Sequence, residues 1–172
     1  MVKNLVTLID DFKNQKILVA GDIILDEFIW GVCKRINPEE EGAPLVNVRR
    51  RNYMLGGAGN VANNIASLGG KCDLWGCFGD DDDGKKIKKL CENSSIDLKN
   101  FYDKNPTIVK TRVIGGRKQI VRFDEGEENL TKINKETEDR ILEEFEKSIE
   151  NYDFVILSDY NKTFLPLDFL VK

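Results

Sequence analysis

Apolar residues follow two rhythms along this chain. In "KILVAGD" (Lys16 to Asp22), "CDLWGCFG" (Cys72 to Gly79) and "DFVILSDY" (Asp153 to Tyr160) they run almost unbroken. Short continuous runs of this kind predict strands buried on both faces, as in a parallel sheet. Elsewhere apolar and polar positions alternate. Asp26 to Ile36 and Pro44 to Met54 behave this way; Val46 and Val48 alternate with Asn47 and Arg49. So do Thr107 to Ile114 and Lys118 to Asp124, which meet at Gly115-Gly116 and predict a hairpin. Alternation predicts strands with one wet face.

Helical spacing fills the gaps. Leu5, Leu8, Ile9 and Phe12 predict an N-terminal amphipathic helix. Val61, Ile65 and Leu68, with Ala58, Ala62 and Ala66 beside them, predict a second, capped at Gly69-Gly70. Ile87, Leu90 and Cys91 mark a third, entered through the acidic run Asp80 to Asp83. That run reads as a helix N-cap with a solvated acidic turn rather than a metal site. Ile141, Leu142, Phe145 and Ile149 mark a fourth, behind an Asn134 cap. Buried strands alternating with helices mean βαβ units, so the expected class is α/β with a mostly parallel sheet. The half-wet strands predict a small second sheet standing off that core.

Composition narrows the function. A chain of 172 residues suits one domain, and a net charge of −4 argues against a nucleic-acid surface. No apolar run reaches the roughly 18 residues of a membrane span, and the N-terminus has no signal-peptide pattern. Cys33, Cys72, Cys77 and Cys91 form no CxxC pair, and the chain has no histidine. Zinc binding and histidine-based nucleophilic catalysis are therefore not expected, and a reduced, cytoplasmic chain is.

The stretch with the clearest chemistry is "YMLGGAGNVANNIASLGG", Tyr53 to Gly70. Gly57, Gly59 and Ala62 fit a loose dinucleotide fingerprint, but the strand before them is half wet and rich in arginine. The fingerprint needs a buried strand there, so the nicotinamide reading is weak. Helix-start amides without Cβ bulk can still meet an anion or a sugar hydroxyl, or simply pack tightly. Asn60 adds a donor and an acceptor.

Five segments stand in a telling order: "ILVAGDIILDEF", "LGGAGNVANNIASLGG", "GCFGDDDDGKK", "PTIVKTRVI" with "QIVRFDEGEE", and "VILSDYNK". Together they resemble the N-terminal half of a ribokinase-like (PfkB-type) sugar kinase, over roughly Lys16 to Phe164. Within that family "RINPE", "KTRVI", "QIVRFD" and "LSDYNK" point to the D-glycero-β-D-manno-heptose 7-phosphate kinases of ADP-heptose synthesis. The resemblance implies a sugar grip by Asp26, Gly56, Gly57 and Asn60. It implies that the half-wet strands, roughly 26–54 and 106–125, form a β-sheet lid over the sugar and a homodimer contact. Lys110 and Arg112 are two apart on one strand and so share a face. With Arg122 they are candidates for a phosphate clamp, or for an ordinary charged lid surface. Asp159 and Lys162 fall beyond the carboxyl end of a buried strand, where ligands bind in open α/β sheets, or form a hydrogen-bonded loop. Asp22 either joins the pocket or caps a turn. Arg49, Arg50 and Arg51 cannot share one face of a strand and read as solvated or interfacial.

The family's second signature, a Gly-Ala-Gly-Asp segment carrying the aspartate base and anion hole, does not occur in these 172 residues. The expectation is thus half of a sugar-phosphate kinase. ATP and Mg2+ belong to the complete enzyme, and no catalytic base and no metal ligand is assigned in this chain. The "NPEEEGAP" loop looks longer than the family's, and Thr163 stands where a glycine is common. Other ribokinase-like sugars, or a non-catalytic sugar-binding or dimerisation module, are the competing readings.

Overall fold

The structure is a computed structural model that describes residues 11–39, 42–102, 104–162 and 164–165. Most of the expected N-terminal helix, Thr163 and the stretch after Leu165 lie outside the described residues. The elements are β1 Lys16–Gly21, β2 Ile23–Ile36, β3 Pro44–Gly57, α1 Ala58–Ser67, β4 Lys71–Gly76 and α2 Asp82–Asn93. Then follow β5 Asp97–Asn100, β6 Ile108–Gly115, β7 Lys118–Glu125, α3 Lys135–Ser148 and β8 Phe154–Ser158.

Two four-stranded sheets organise the chain. The first has the order β5-β4-β1-β8, and each neighbouring pair is parallel. The second has the order β3-β2-β6-β7, with β2 and β6 parallel and both outer pairs antiparallel. Period-two alternation along β1 explains the layering. Ile17 and Val19 face α1 and α2, where they meet Ala58, Ala62, Ile65, Ile87 and Cys91. Leu18 and Ala20 face the opposite side, with Trp75, Phe101 and Ile141 of α3. Leu18, Val19 and Leu74 are fully buried. Each such side chain contributes about 1.5–3 kcal/mol relative to exposure. Leu25, Leu55 and Val109 carry the first of these clusters into the base of the second sheet.

Local chemistry sets the helix ends. Gly69 takes φ +88°, and the Gly69 and Gly70 amides donate to Ala66 and Ile65 carbonyls. That is the doubly bonded glycine stop expected at this pair. Asp81 caps α2 by accepting from the Gly84 amide at 2.7 Å. Its carboxylate also accepts from the Thr107 amide at 2.9 Å and hydroxyl at 2.7 Å, tying α2 to the entry of β6. Asn134 caps α3 through the Thr137 amide, as expected.

Three expectations need correction. β2 starts at Ile23 rather than Asp26, immediately after Asp22, so one residue separates the two sheets. β3 runs on to Gly57, so Gly56 and Gly57 pair with Ile24 and Ile23 as strand residues instead of forming a turn. The run in β8 is apolar but not buried: Phe154 and Leu157 are 59% and 44% exposed. The physical reason is position. Among the described residues β8 is the outer strand of its sheet, with only β1 beside it.

Candidate functional site

Strand register assembles one charged face on the second sheet. Asp26 of β2 lies beside Lys110 of β6, and Phe28 beside Arg112. Lys110 in turn faces Asp124 of β7, and Arg112 faces Arg122. Residues two apart point the same way, so Asp26, Lys110, Arg112, Arg122 and Asp124 share this face. Arg112 Nη1 donates to Asp26 Oδ1 at 2.5 Å, and its guanidinium carbon lies 5.3 Å from the Phe28 ring centre. Phe28 stacks on Trp30 at 6.2 Å, which continues the face as an aromatic shelf. Arg122 grips Asp124 through two nitrogens at 2.9 and 2.8 Å, a bidentate fork that raises the guanidinium pKa further.

The glycines bring the start of α1 close to this face. A Cβ on Gly56 would lie 2.7 Å from Asp26 Oδ2, so the carboxylate rests where any other residue would carry a side chain. Gly57 takes φ +56°, and a Cβ there would lie 2.2 Å from the Asp22 carbonyl. Only glycine tolerates both conditions. Asn60 sits exposed in the first turn of α1.

Asp22 is the joint between the sheets. Its amide donates to the Ser158 carbonyl, and its carbonyl accepts from the Ala58 amide. Its carboxylate accepts from the amides of Tyr160 at 2.7 Å, Lys162 at 3.0 Å and Phe164 at 3.2 Å. Burial raises its pKa, and the three amides oppose that rise. Of the two readings for Asp22, the geometry is that of a cap, holding the loop after β8. Asp159 begins that loop, exposed, and accepts from the Asn161 amide at 2.7 Å.

Lys162 reaches from this loop to the second sheet through a residue the sequence did not nominate. Gly126, at φ +85°, turns the chain after β7 into a 3-10 turn, Glu127–Asn129. The Glu127 carboxylate lies 2.7 Å from Lys162 Nζ and 3.3 Å from Lys110 Nζ. The Lys162 hydrogen bond holds its pKa below the ordinary range; burial opposes this and Lys110 assists it.

The structure thus brings Asp26, Lys110, Arg112 and Arg122 onto one face and adds Lys162 through Glu127. It differs from the expected clamp in one respect: each of these four cations already has a carboxylate partner. Acids and bases interleave on the same strands, and half-buried charges pair readily. Asp124 could have been found from its spacing to Arg122. Glu127 could not, because its contacts depend on a turn and on residues 17 and 35 positions away.

The three arginines of β3 split as their alternation requires. Arg50 packs 4.9 Å over Trp30, while Arg51 turns to the opposite face and donates to Glu27 at 2.7 Å. Glu27 is buried and also accepts from the Thr111 hydroxyl at 2.9 Å. Burial pushes its carboxyl up, but bonds from Arg51, Thr111 and Tyr53 prevail and hold it below the ordinary range. Burial pushes the Cys72 and Cys91 thiols up to about 12, which leaves them unreactive.

Comparisons with known proteins agree with this architecture. The family model for pfkB family carbohydrate kinases matches residues 15–171. The bifunctional protein HldE of Aliarcobacter butzleri RM4018 is 40% identical over 152 residues, which is 87% of this chain and 31% of the relative. HldE of Helicobacter pylori P12 is 42% identical over 156 residues, or 90% and 33%. The chain therefore spans about a third of the length of these curated relatives. Among solved structures, a putative phosphofructokinase from Staphylococcus aureus superposes with a TM-score of 0.64 at 18% identity. The overlap covers 89% of this chain and 46% of that one. A possible 1-phosphofructokinase from Thermotoga maritima gives 0.63 at 16%, covering 83% and 44%. These likenesses show the fold, the ribokinase-like α/β fold. The chain belongs to the pfkB family of carbohydrate kinases.

Proposed function

We propose that this chain is the sugar-binding, N-terminal part of an ATP-dependent sugar-phosphate kinase. Its substrate is a heptose 7-phosphate, phosphorylated at the anomeric hydroxyl in the cytoplasm on the route to ADP-heptose, a lipopolysaccharide core precursor. The observation that carries the reading is the single face formed by Asp26, Lys110, Arg112 and Arg122. Asp26 rests against Gly56 with an acceptor for sugar hydroxyls, and the cations on the next two strands offer a seat for a phosphate. Gly57 at the end of β3 and Asn60 in α1 border it, as do Asp159 and Lys162 from the loop after β8. Identity of about 40% to proteins named HldE supports the heptose assignment.

ATP would supply the phosphoryl group, and Mg2+ its charge neutralisation, in the complete enzyme. The described residues hold no group of three His, Cys, Asp or Glu fit for a metal, and the chain has no Gly-Ala-Gly-Asp segment. In this reading the face described here binds the sugar phosphate, and none of its residues is assigned to the nucleotide or its metal.

Two assays test this. A protein extended to the length of its relatives should phosphorylate heptose 7-phosphate with ATP; no turnover with any sugar phosphate sinks the kinase reading. The 172-residue chain should bind the sugar phosphate, and the double variant Lys110→Ala/Arg112→Ala should weaken binding by roughly tenfold or more. The lid also supports a homodimer contact. Val48, Val121 and Phe123 are exposed on its other face, a surface that apolar residues do not keep in water without reason. Sedimentation of the chain should give a dimer, and a clean monomer removes that part.

A further inference from the structure

We infer that the Glu127 carboxylate is a resident anion, holding the phosphate seat between Lys110 and Lys162 until a phosphorylated ligand exchanges with it. The inference rests on the reading of this face as a sugar-phosphate site and adds how the seat is kept empty of other anions. Lys110 belongs to β6 of the second sheet, and Lys162 to the loop closing the first. Two ammonium groups brought together across two sheets repel unless an anion lies between them. In the structure Glu127 is that anion.

Three features make it a placeholder rather than a permanent strut. The first is how poorly the carboxylate is satisfied. Oε2 accepts from Lys162 at 2.7 Å, whereas the buried Oε1 has no well-aligned hydrogen bond and only a longer contact with Lys110 at 3.3 Å. A buried acceptor held only by one long contact is weakly satisfied, and a phosphate has more oxygens to spread over the same two donors. The second is charge. One carboxylate shared by two lysines leaves a cation in excess, which a phosphate dianion would match. The third is location. Asp26 and Asp124 are held on strands beside their partners, whereas Glu127 stands on a short turn behind Gly126, where a side chain can swing aside without breaking a ladder.

The exchange has a structural corollary. Glu127 links the two sheets when the site is unliganded; a phosphate on the same lysines keeps that link while freeing the turn. The sugar's phosphate, rather than its ring, is thus the group that competes.

Calorimetric titration at low salt tests the inference on the whole chain. The ligands are inorganic phosphate, sedoheptulose 7-phosphate and unphosphorylated sedoheptulose. The proteins are wild type, Glu127→Gln and Lys110→Ala. Glu127→Gln should tighten both phosphorylated ligands by roughly tenfold and leave the free sugar unchanged. Unchanged or weaker phosphate binding in Glu127→Gln overturns the inference. Lys110→Ala separates the two layers. If it weakens the sugar phosphate while Glu127→Gln fails to tighten it, only the placeholder is lost. If Lys110→Ala changes nothing, the sugar-phosphate reading of this face falls as well. Should Glu127→Gln not fold, the carboxyl carbon resonance of Glu127 in the wild type decides. It should shift as phosphate saturates the site, and a static resonance counts against the exchange.

Discussion

The two sheets have the same number of strands and solve opposite problems. The parallel sheet removes apolar side chains from water on both faces of β1, and its stability follows from area and packing. The second sheet keeps charges, and its face is held by pairs: Asp26 with Arg112, Asp124 with Arg122, Glu127 with two lysines. Packing fixes the first sheet without regard to ligands. Pairing fixes the second, through contacts that a ligand with charged oxygens could contest.

Mutations can break this contrast at either end. The largest effect belongs to the platform. Leu74→Ala should cost about 2–5 kcal/mol in urea unfolding, because its surroundings from both sheets and α1 cannot collapse on the hole. Next comes the meeting point of the two regimes. Gly56→Ala places a methyl against the Asp26 carboxylate and should cost about 1–3 kcal/mol as overpacking. It should also abolish sugar-phosphate binding, and retention of wild-type affinity would show that Asp26 is not in the site.

A smaller effect sharpens the comparison from within the second sheet. Glu27→Gln loses the charge in its pair with Arg51, which is half exposed and therefore screened, and should cost about 1 kcal/mol at neutral pH. Glu27 is held below its ordinary pKa, so its contribution is complete above the ordinary glutamate range and fades as pH falls through the depressed value. The gap between wild type and variant, followed by urea unfolding, should close in acid; a gap independent of pH would mean the charge plays no part. The smallest change in stability is expected from Phe123→Lys, within about 0.5 kcal/mol, and it should abolish the proposed dimer in sedimentation.

Much of this was legible in the sequence, for reasons that differ by element. "KILVAGD" and "CDLWGCFG" gave buried strands because continuous apolar runs have few other uses at that length. Alternation gave the second sheet, and it separated Arg50 from Arg51 correctly. β8 shows the limit of the same reasoning. An apolar run reports a surface that needs cover, and says nothing about whether a neighbour supplies it. The charged face was legible as a list of cations and carboxylates, but not as a set of pairs. Thr111 and Glu27 are 84 residues apart and meet only through the β2–β6 register, which no local pattern encodes. Glu127 needed that register, the turn at Gly126 and the loop after β8 together.

Asp22 gives the molecule a mechanical property. The chain passes from one sheet to the other within that residue, whose backbone and carboxylate are bonded to β8, α1 and the loop beyond β8. A tilt of the second sheet about this residue would act on a short arm near the site. At about 3.3 Å per residue, Asp26 lies roughly 13 Å along the lever and Gly31 roughly 30 Å. A rotation of about ten degrees would carry Gly31 through some 5 Å but Asp26 through only about 2 Å. Gly115 is paired with Gly31 and travels with it. Such a tilt would displace the far hairpin while leaving the carboxylate beside Gly56 near its resting position.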